Sequence, residues 1–351
     1  MTKNTRYFVI TAGAILLVGV GGGLVAYLAY NRVANDIAGV PREIRYVPVD
    51  AEVVAFANVR TIMDSELRRA LVPNIDPESR KGKQMMNDFA GVDLEKQVDH
   101  VVMFVEPFIA GQDVDPQGRE FPRASLIVQG SFDAARIEQF VRERGAAIEE
   151  HRGQKLFAYR EGPNQGAVGF VQPDVIAIGQ TDLVRRTIDI SKDEADDFKS
   201  VASNPEMMNL IRDNSGSTAW VVGQFDEISR RMHLPDSVSG QVPPVRLVAA
   251  KADIDGGVKA TIRAEAGDKA AADQLRDVVR GFLSLARLHS SGKEDLEGVL
   301  KTIELGGTDT TVRLSFSVSP ETLKSITPPR RGERRRQMDP PAPPIPPAPP
   351  K

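Results

Sequence analysis

Residues 8–30 read FVITAGAILLVGVGGGLVAYLAY, twenty-three positions without a charge. At about 1.5 Å of helical rise per residue the run covers roughly 35 Å, and a bilayer's hydrocarbon core is about 30 Å thick. The run therefore predicts a transmembrane anchor. A cleaved signal peptide is the competing reading, with Lys3 and Arg6 as its basic leader. Its apolar region would be shorter, about 7–15 residues, and a small-x-small site would follow. Here Ala26 and Ala29 stand three apart, and Tyr27 and Tyr30 end the run with side chains suited to the membrane interface. With no cysteine in the chain, a lipidated N-terminus is excluded as well.

The expected organisation is a basic leader (1–7), an anchor (8–30), a tether (31–43), a folded body (44–326) and an Arg/Pro-rich tail (327–351). Arg32, Arg42 and Arg45 follow the anchor, so counting cations on each side does not fix its direction. The short basic leader favours an N-terminus inside, with the body outside the cytoplasm. Gly19 and Gly23 form a GxxxG pair that lets two helices approach closely, which leaves a homodimer open.

The net charge of −3 hides an asymmetry. Residues 1–43 carry +2 and residues 326–351 carry +4, which leaves −9 for 44–325. An acidic body argues against nucleic-acid binding, because phosphate contact needs a basic face. The absence of cysteine removes disulfides, thiolate nucleophiles and zinc–sulfur sites together.

Along the body, apolar runs and turn residues predict alternating elements. Strands are expected at 52–59, 100–106 and 124–130. Helices are expected at 61–72, stopped by Pro73, and at 133–144, stopped by Gly145. A second short helix is expected at 83–89. A three-strand meander is expected at 156–159, 167–171 and 175–179, with Thr181 capping the next helix. The acidic, polar stretch 191–200 reads as a boundary.

The second part repeats the order. A helix at 205–213 precedes a buried strand at 218–225. A hairpin, 245–253 and 258–266, turns at Asp255-Gly256-Gly257. On its second strand Val258, Ala260, Ile262 and Ala264 share one face, while Lys259, Thr261, Arg263 and Glu265 share the other, as in a sheet with one wet side. Asp268 caps a long helix. A second hairpin is expected at 299–305 and 311–318, and Ser319-Pro320 opens a last helix. The order β-α-β-β-α-β-β-α thus occurs twice. The expected fold is α+β: one N-terminal transmembrane helix followed by two tandem antiparallel-sheet modules, 44–200 and 201–326, with helices packed on one face.

The tail from Thr327 has too little apolar surface to pack, and its prolines favour an extended form. Arg330, Arg331, Arg334, Arg335 and Arg336 form a cluster able to touch a partner or anionic lipid.

Enzyme templates fail: there is no G-x-S-x-G, P-loop or H-E-x-x-H motif. His100, His151, His233 and His289 never pair at metal-ligand spacing. Asp113-Val114-Asp115 with Gly118 lacks the remaining ligands of a calcium loop. Asp193, Glu194, Asp196 and Asp197 read as a solvated linker, and Met85-Met86 and Met207-Met208 as core. No catalytic, cofactor-binding or metal residue is assigned, and no cofactor is expected.

One stretch carries a resemblance. Tyr46-Val47-Pro48-Val49-Asp50-Ala51, then Val54, Ala57, Asn58 and Val59, then Asp64-Ser65, is similar to a loose group of bacterial membrane-anchored envelope proteins. These share a Tyr-x-Pro-x-Asp-Ala opening after the membrane span. The likeness covers mainly 44–72 and, in element order, most of 44–326. It implies a cell-envelope location and brings no catalytic residues.

The leading expectation is a non-enzymatic protein of the bacterial inner membrane, single-pass, with its body outside the cytoplasm, that binds or scaffolds a membrane or periplasmic partner protein. Two alternatives stay open: a periplasmic lipid- or peptide-binding, chaperone-like module, and an enzyme with an unrecognised carboxylate-based site. An apolar pocket between the modules would favour the first alternative. Convergent carboxylates in a cleft would favour the second.

Overall fold

The computed structural model describes residues 40–71, 97–107, 123–143, 145–161, 164–192, 199–225, 243–290 and 294–326. The anchor with Gly19 and Gly23, the helix at 83–89 and the tail with its five arginines lie outside the described residues. No described helix is long and apolar enough to cross a membrane.

Among the described residues twelve strands form one antiparallel sheet. The first part of the chain supplies β1 (Val53–Asn58), β2 (Val98–Val105), β3 (Ala124–Gly130), β4 (Ala147–His151), β5 (Gln154–Glu161), β6 (Asn164–Gln172) and β7 (Val175–Gln180). The second supplies β8 (Ala219–Gln224), β9 (Val245–Ile254), β10 (Val258–Ala266), β11 (Glu304–Gly306) and β12 (Thr311–Val318). Their order across the sheet is β11-β12-β10-β9-β8-β1-β2-β3-β7-β6-β5-β4. The helices are α1 (Val59–Asp64), α2 (Glu66–Leu71), α3 (Ala134–Glu143), α4 (Thr181–Ser191), α5 (Pro205–Asn214), α6 (Lys269–Ser290), α7 (Glu294–Thr302) and α8 (Pro320–Ile326).

This corrects the expectation of two tandem modules. β1 and β8 are neighbours, with Val54 opposite Val222 and Phe56 opposite Trp220. What reads as the first strand of each of two sheets is the central pair of one. The physical reason lies in their composition. VVAFA in β1 and AWVV in β8 are apolar without alternation, so each must be covered on both faces. As free edges they would expose unpaired backbone beside apolar side chains, a template for aggregation. Pairing them removes both edges. Gly223 suits the seam: a Cβ there would come within 2.5 Å of the Glu52 carbonyl oxygen.

Helices also pack on both faces, not one. Alternate residues point opposite ways along a strand. On the front face Val54, Phe56, Val102, Phe104, Ile127 and Trp220 meet Leu183, Val184 and Ile188 of α4 and Met207, Met208 and Ile211 of α5. On the back, Val101, Val128 and Ile176 meet Val59 and Met63 of α1 and Ile137 and Val141 of α3. Farther along the back, Val248 and Val312 meet Ala271, Ala272 and Leu275 of α6, and Phe316 meets Leu300 and Ile303 around α7.

Several helix starts follow local chemistry. The Asn204 side chain accepts from the Met207 amide at 3.1 Å, with Pro205 in the first turn of α5. Asp268 accepts from Ala271 N at 2.8 Å, and Ser319 from Thr322 N at 3.2 Å. Thr181, expected to cap α4, instead lies inside it: Gln180 is the cap residue and makes no side-chain bond. The expected helix at 61–72 breaks at Ser65, whose hydroxyl donates to the Ile62 carbonyl at 2.5 Å. Val299 and Leu300, expected in a strand, lie in α7, where Leu300 packs on Phe316 together with Ile303, the residue just past the helix. β4 was not expected. It joins β5 through Arg152-Gly153, which take φ of +47° and +75° as a two-residue hairpin turn requires.

Candidate ligand-binding cleft

The central seam ends in a row of polar residues. Along the front face of β1, Val54 and Phe56 are followed by Asn58. Across the strands, Asn58 stands opposite His100 of β2, and His100 opposite Gln129 of β3. The apolar front core therefore gives way to an amide, an imidazole and a second amide side by side. Beneath them lies an aromatic floor. The Phe56 ring stacks on Trp220 at 5.7 Å between centroids and lies 5.4 Å from the His100 ring.

The roof comes from two segments. Val40 packs against the front core, and the chain after it turns through a 3-10 helix at Arg42–Tyr46. The turn at 216–218, between α5 and β8, closes the other side. Between floor and roof lies a cavity of about 590 Å³.

The charge in this cleft is specific. Glu43 is only 1% exposed. Its Oε1 accepts from Arg42 Nε at 3.1 Å. Arg42 also bonds Asp174, from the turn between β6 and β7, so it bridges both carboxylates. Glu43 Oε2 is buried with no hydrogen-bond partner among the described residues, and so is His100 Nε2. Asn58 is not free in the same sense, because its side chain accepts from the Thr61 amide at 2.8 Å and caps α1. Two acidic groups face one guanidinium, so the cleft has an excess of acceptors. Buried polar atoms left unpaired cost about 1–3 kcal/mol each. A ligand carrying an ammonium or hydroxyl group, with a flat apolar part to lie on Phe56, would satisfy both.

The opposite end of the same strands is closed by ion pairs. Glu106, just past β2, is 4% exposed. It accepts from Arg123 at 3.2 Å and from Arg186 at 2.7 Å. Arg123 also reaches Asp182 at 2.6 Å, and Arg186 reaches Asp50 at 2.7 Å. Burial pushes the Glu106 carboxyl above its usual range, outweighing the opposing pull of Arg186. Every charge in this group has an opposite partner, so it clamps α4 to the sheet and leaves no acceptor on offer.

Of the residues the sequence singles out, His100 lines the cleft. His151 hydrogen-bonds Asp189 of α4, Nε2 to Oδ1 at 2.7 Å, beside the Arg152–Asp189 ion pair that ties the β4–β5 turn to that helix. Met207 and Met208 are buried core. His233, the side chain of His289, Met85-Met86, Asp113, Asp115, Gly118, Asp193, Glu194, Asp196 and Asp197 lie outside the described residues. So do Gly19, Gly23, Arg330, Arg331, Arg334, Arg335 and Arg336. Among the described residues no group of three or more His, Cys, Asp or Glu could hold a metal ion. Glu43, Asp174 and Gln129 were missed by sequence reading. They come from distant segments and form no motif. The one signal was Glu43 itself, an acid placed directly before the buried Ile44 and Tyr46.

No protein-family model matches this chain, and no curated protein matches it. Among solved structures, crystal form III of TP0453 is similar with a TM-score of 0.44 and 12% identity, covering 81% of this chain and 96% of that one. Crystal form IV gives 0.43 and crystal form I gives 0.42, each at 12% identity, covering 81% and 82% of this chain and 95% and 97% of those chains.

Proposed function

We propose that this protein is a non-enzymatic binding module of the bacterial cell envelope. It is held at the inner membrane through the uncharged run 8–30, with its body outside the cytoplasm. Its ligand or partner group enters the cleft under Arg42 and Glu43. The observation that carries this reading is the pair of buried, unpaired atoms, Glu43 Oε2 and His100 Nε2, beside a cavity of about 590 Å³ with an aromatic floor. Such atoms call for a hydrogen-bonding occupant. The cleft is also roofed by Val40–Glu43, the last residues of the expected tether. Nine residues, 31–39, separate it from the apolar run, a reach of at most about 30 Å. A group presented at the membrane surface falls within that distance.

Binding is preferred to catalysis on the geometry of the same groups. Arg42 holds Asp174 and Glu43 Oε1, and the one unpaired carboxylate oxygen, Glu43 Oε2, accepts from no hydroxyl among the described residues. Among the described residues His100 bonds no hydroxyl that it could activate.

The test uses full-length protein extracted from its own membrane in mild detergent. Co-purifying lipids, small molecules and proteins are identified by mass spectrometry for the wild type and for a Glu43→Gln, His100→Ala double variant. A species retained by the wild type and absent from the variant supports the cleft. Identical retention by both, or nothing bound to the wild type, refutes it.

A further inference from the structure

A second cavity, of about 430 Å³, lies on the front face at the other end of the sheet. Its floor is the wet side of β9, β10 and β12. Lys251 stands beside Thr261, Thr261 beside Ser315, and Arg263 beside Arg313, each pair directly opposite in register. Its wall is the end of α5, with Asp213.

The placement of Arg263 and Arg313 is costly. Like charges directly opposite on an antiparallel pair repel. Asp213 offsets part of this: its carboxylate accepts from Arg263 Nη1 at 3.1 Å, and its backbone carbonyl takes Lys251 Nζ at 3.4 Å. Three cations against one carboxylate leave an excess of two positive charges in one cavity. Arg263 Nε is buried and meets no acceptor among the described residues. Thr261 and Ser315 add two hydroxyls, 3.2 Å apart and bonded to each other. A floor of guanidinium, ammonium and hydroxyl donors, with its own anion short by two charges, is the chemistry that holds a dianionic tetrahedral group.

We infer that this half of the sheet is an anion-binding site for a phosphate monoester. The phosphoryl oxygens take the unpaired Arg263 Nε, the Arg313 guanidinium, Lys251 and the Thr261–Ser315 hydroxyl pair. An ester of this charge neutralises the excess and removes the repulsion across β10 and β12. The site is separate from the cleft under Glu43, whose charge has the opposite sign, and does not depend on it. The same chemistry is offered by a soluble phosphate monoester and by a lipid with a phosphomonoester headgroup.

The experiment uses full-length protein in nanodiscs of phosphatidylcholine. Glycerol 3-phosphate is titrated in one arm. In the other, the protein is offered vesicles of phosphatidylcholine with and without phosphatidic acid. The expected result is saturable binding in at least one arm that falls about tenfold in Arg313→Gln and in Lys251→Gln. Arg280→Gln, a charge change on α6 away from the cavity, should bind as the wild type does. Near-ultraviolet circular dichroism of the single tryptophan, Trp220, reports that each variant keeps its packing. Binding of glycerol 3-phosphate identifies a soluble ester; binding confined to phosphatidic acid vesicles identifies a headgroup. No binding in either arm overturns the inference, and so does an equal loss in Arg280→Gln, which would mean unspecific attraction to charge.

Discussion

The front face of one sheet is finished in two ways. Over β5, β6 and β7 it is apolar and lies under α4, with Leu183, Val184 and Ile188 in its core. Over β10 and β12 the same face carries Lys259, Thr261, Arg263, Arg313 and Ser315, and no described helix covers it. The hydrogen-bonded ladder is the same kind in both halves. The difference is what the side chains permit. At Gly169 of β6 a Cβ would stand 2.9 Å from a Val184 methyl group and 3.0 Å from an Ile188 methyl group, so the helix lands where the strand has no side chain. On β10 every front position offers a charge or a hydroxyl, and an apolar helix set there would bury them unpaired. Backbone pairing builds the sheet; the choice of residue on one side of the pleat decides whether it becomes core or binding surface.

The largest effect should come at the seam that makes the two halves one. Trp220 is 2% exposed and stacks on Phe56 across β1 and β8. Trp220→Ala should cost about 3–5 kcal/mol in urea unfolding. It should lower the stability of both halves together, followed by probes on each. A loss confined to residues after 200 would break the comparison, since it would make the halves independent.

Next in size is a test of the cladding itself. Gly169→Leu should cost about 1–3 kcal/mol by pushing α4 off the sheet. Ser315→Leu, on the open half, should change stability by no more than about 0.5 kcal/mol. Equal losses would mean that the open half is packed against something after all.

The smallest effect is a pH dependence from the ion-pair clamp. In the folded protein, burial holds the Glu106 carboxyl above the usual glutamate range. A raised acid binds its proton more tightly when folded, so its contribution is fully present below about 4.5 and is lost as pH rises through the raised value. The melting temperature of the wild type, relative to Glu106→Gln, should therefore fall between pH 4 and pH 7. A relative rise over that window would show that Arg123 and Arg186 outweigh desolvation.

Much of the local structure was legible. Alternation over Val258–Ala266 gave both β10 and its wet face, and the caps Asp268 and Ser319 marked the starts of α6 and α8. The global arrangement was not, because strand pairing between residues 53–58 and 219–224 leaves no local pattern. The composition of those two strands held the clue: both are apolar on both sides, which an edge strand cannot be. The cleft was less legible still. His100 stood out as one of four histidines, but Glu43 and Asp174 meet it only through the fold. The cationic floor of the second cavity lay in plain view as Lys251, Arg263 and Arg313, yet only the register places two arginines face to face.

The single continuous sheet is most directly tested by hydrogen exchange of the full-length protein, read by mass spectrometry on the β1 and β8 peptides. The account predicts that amides of Val53–Asn58 and Ala219–Gln224 belong to the slowest-exchanging class. They should open together with β2 and β9 in one cooperative step. Fast exchange of β8 and β9 while β1 and β2 stay protected would contradict it, because the halves would then be separate units that merely touch.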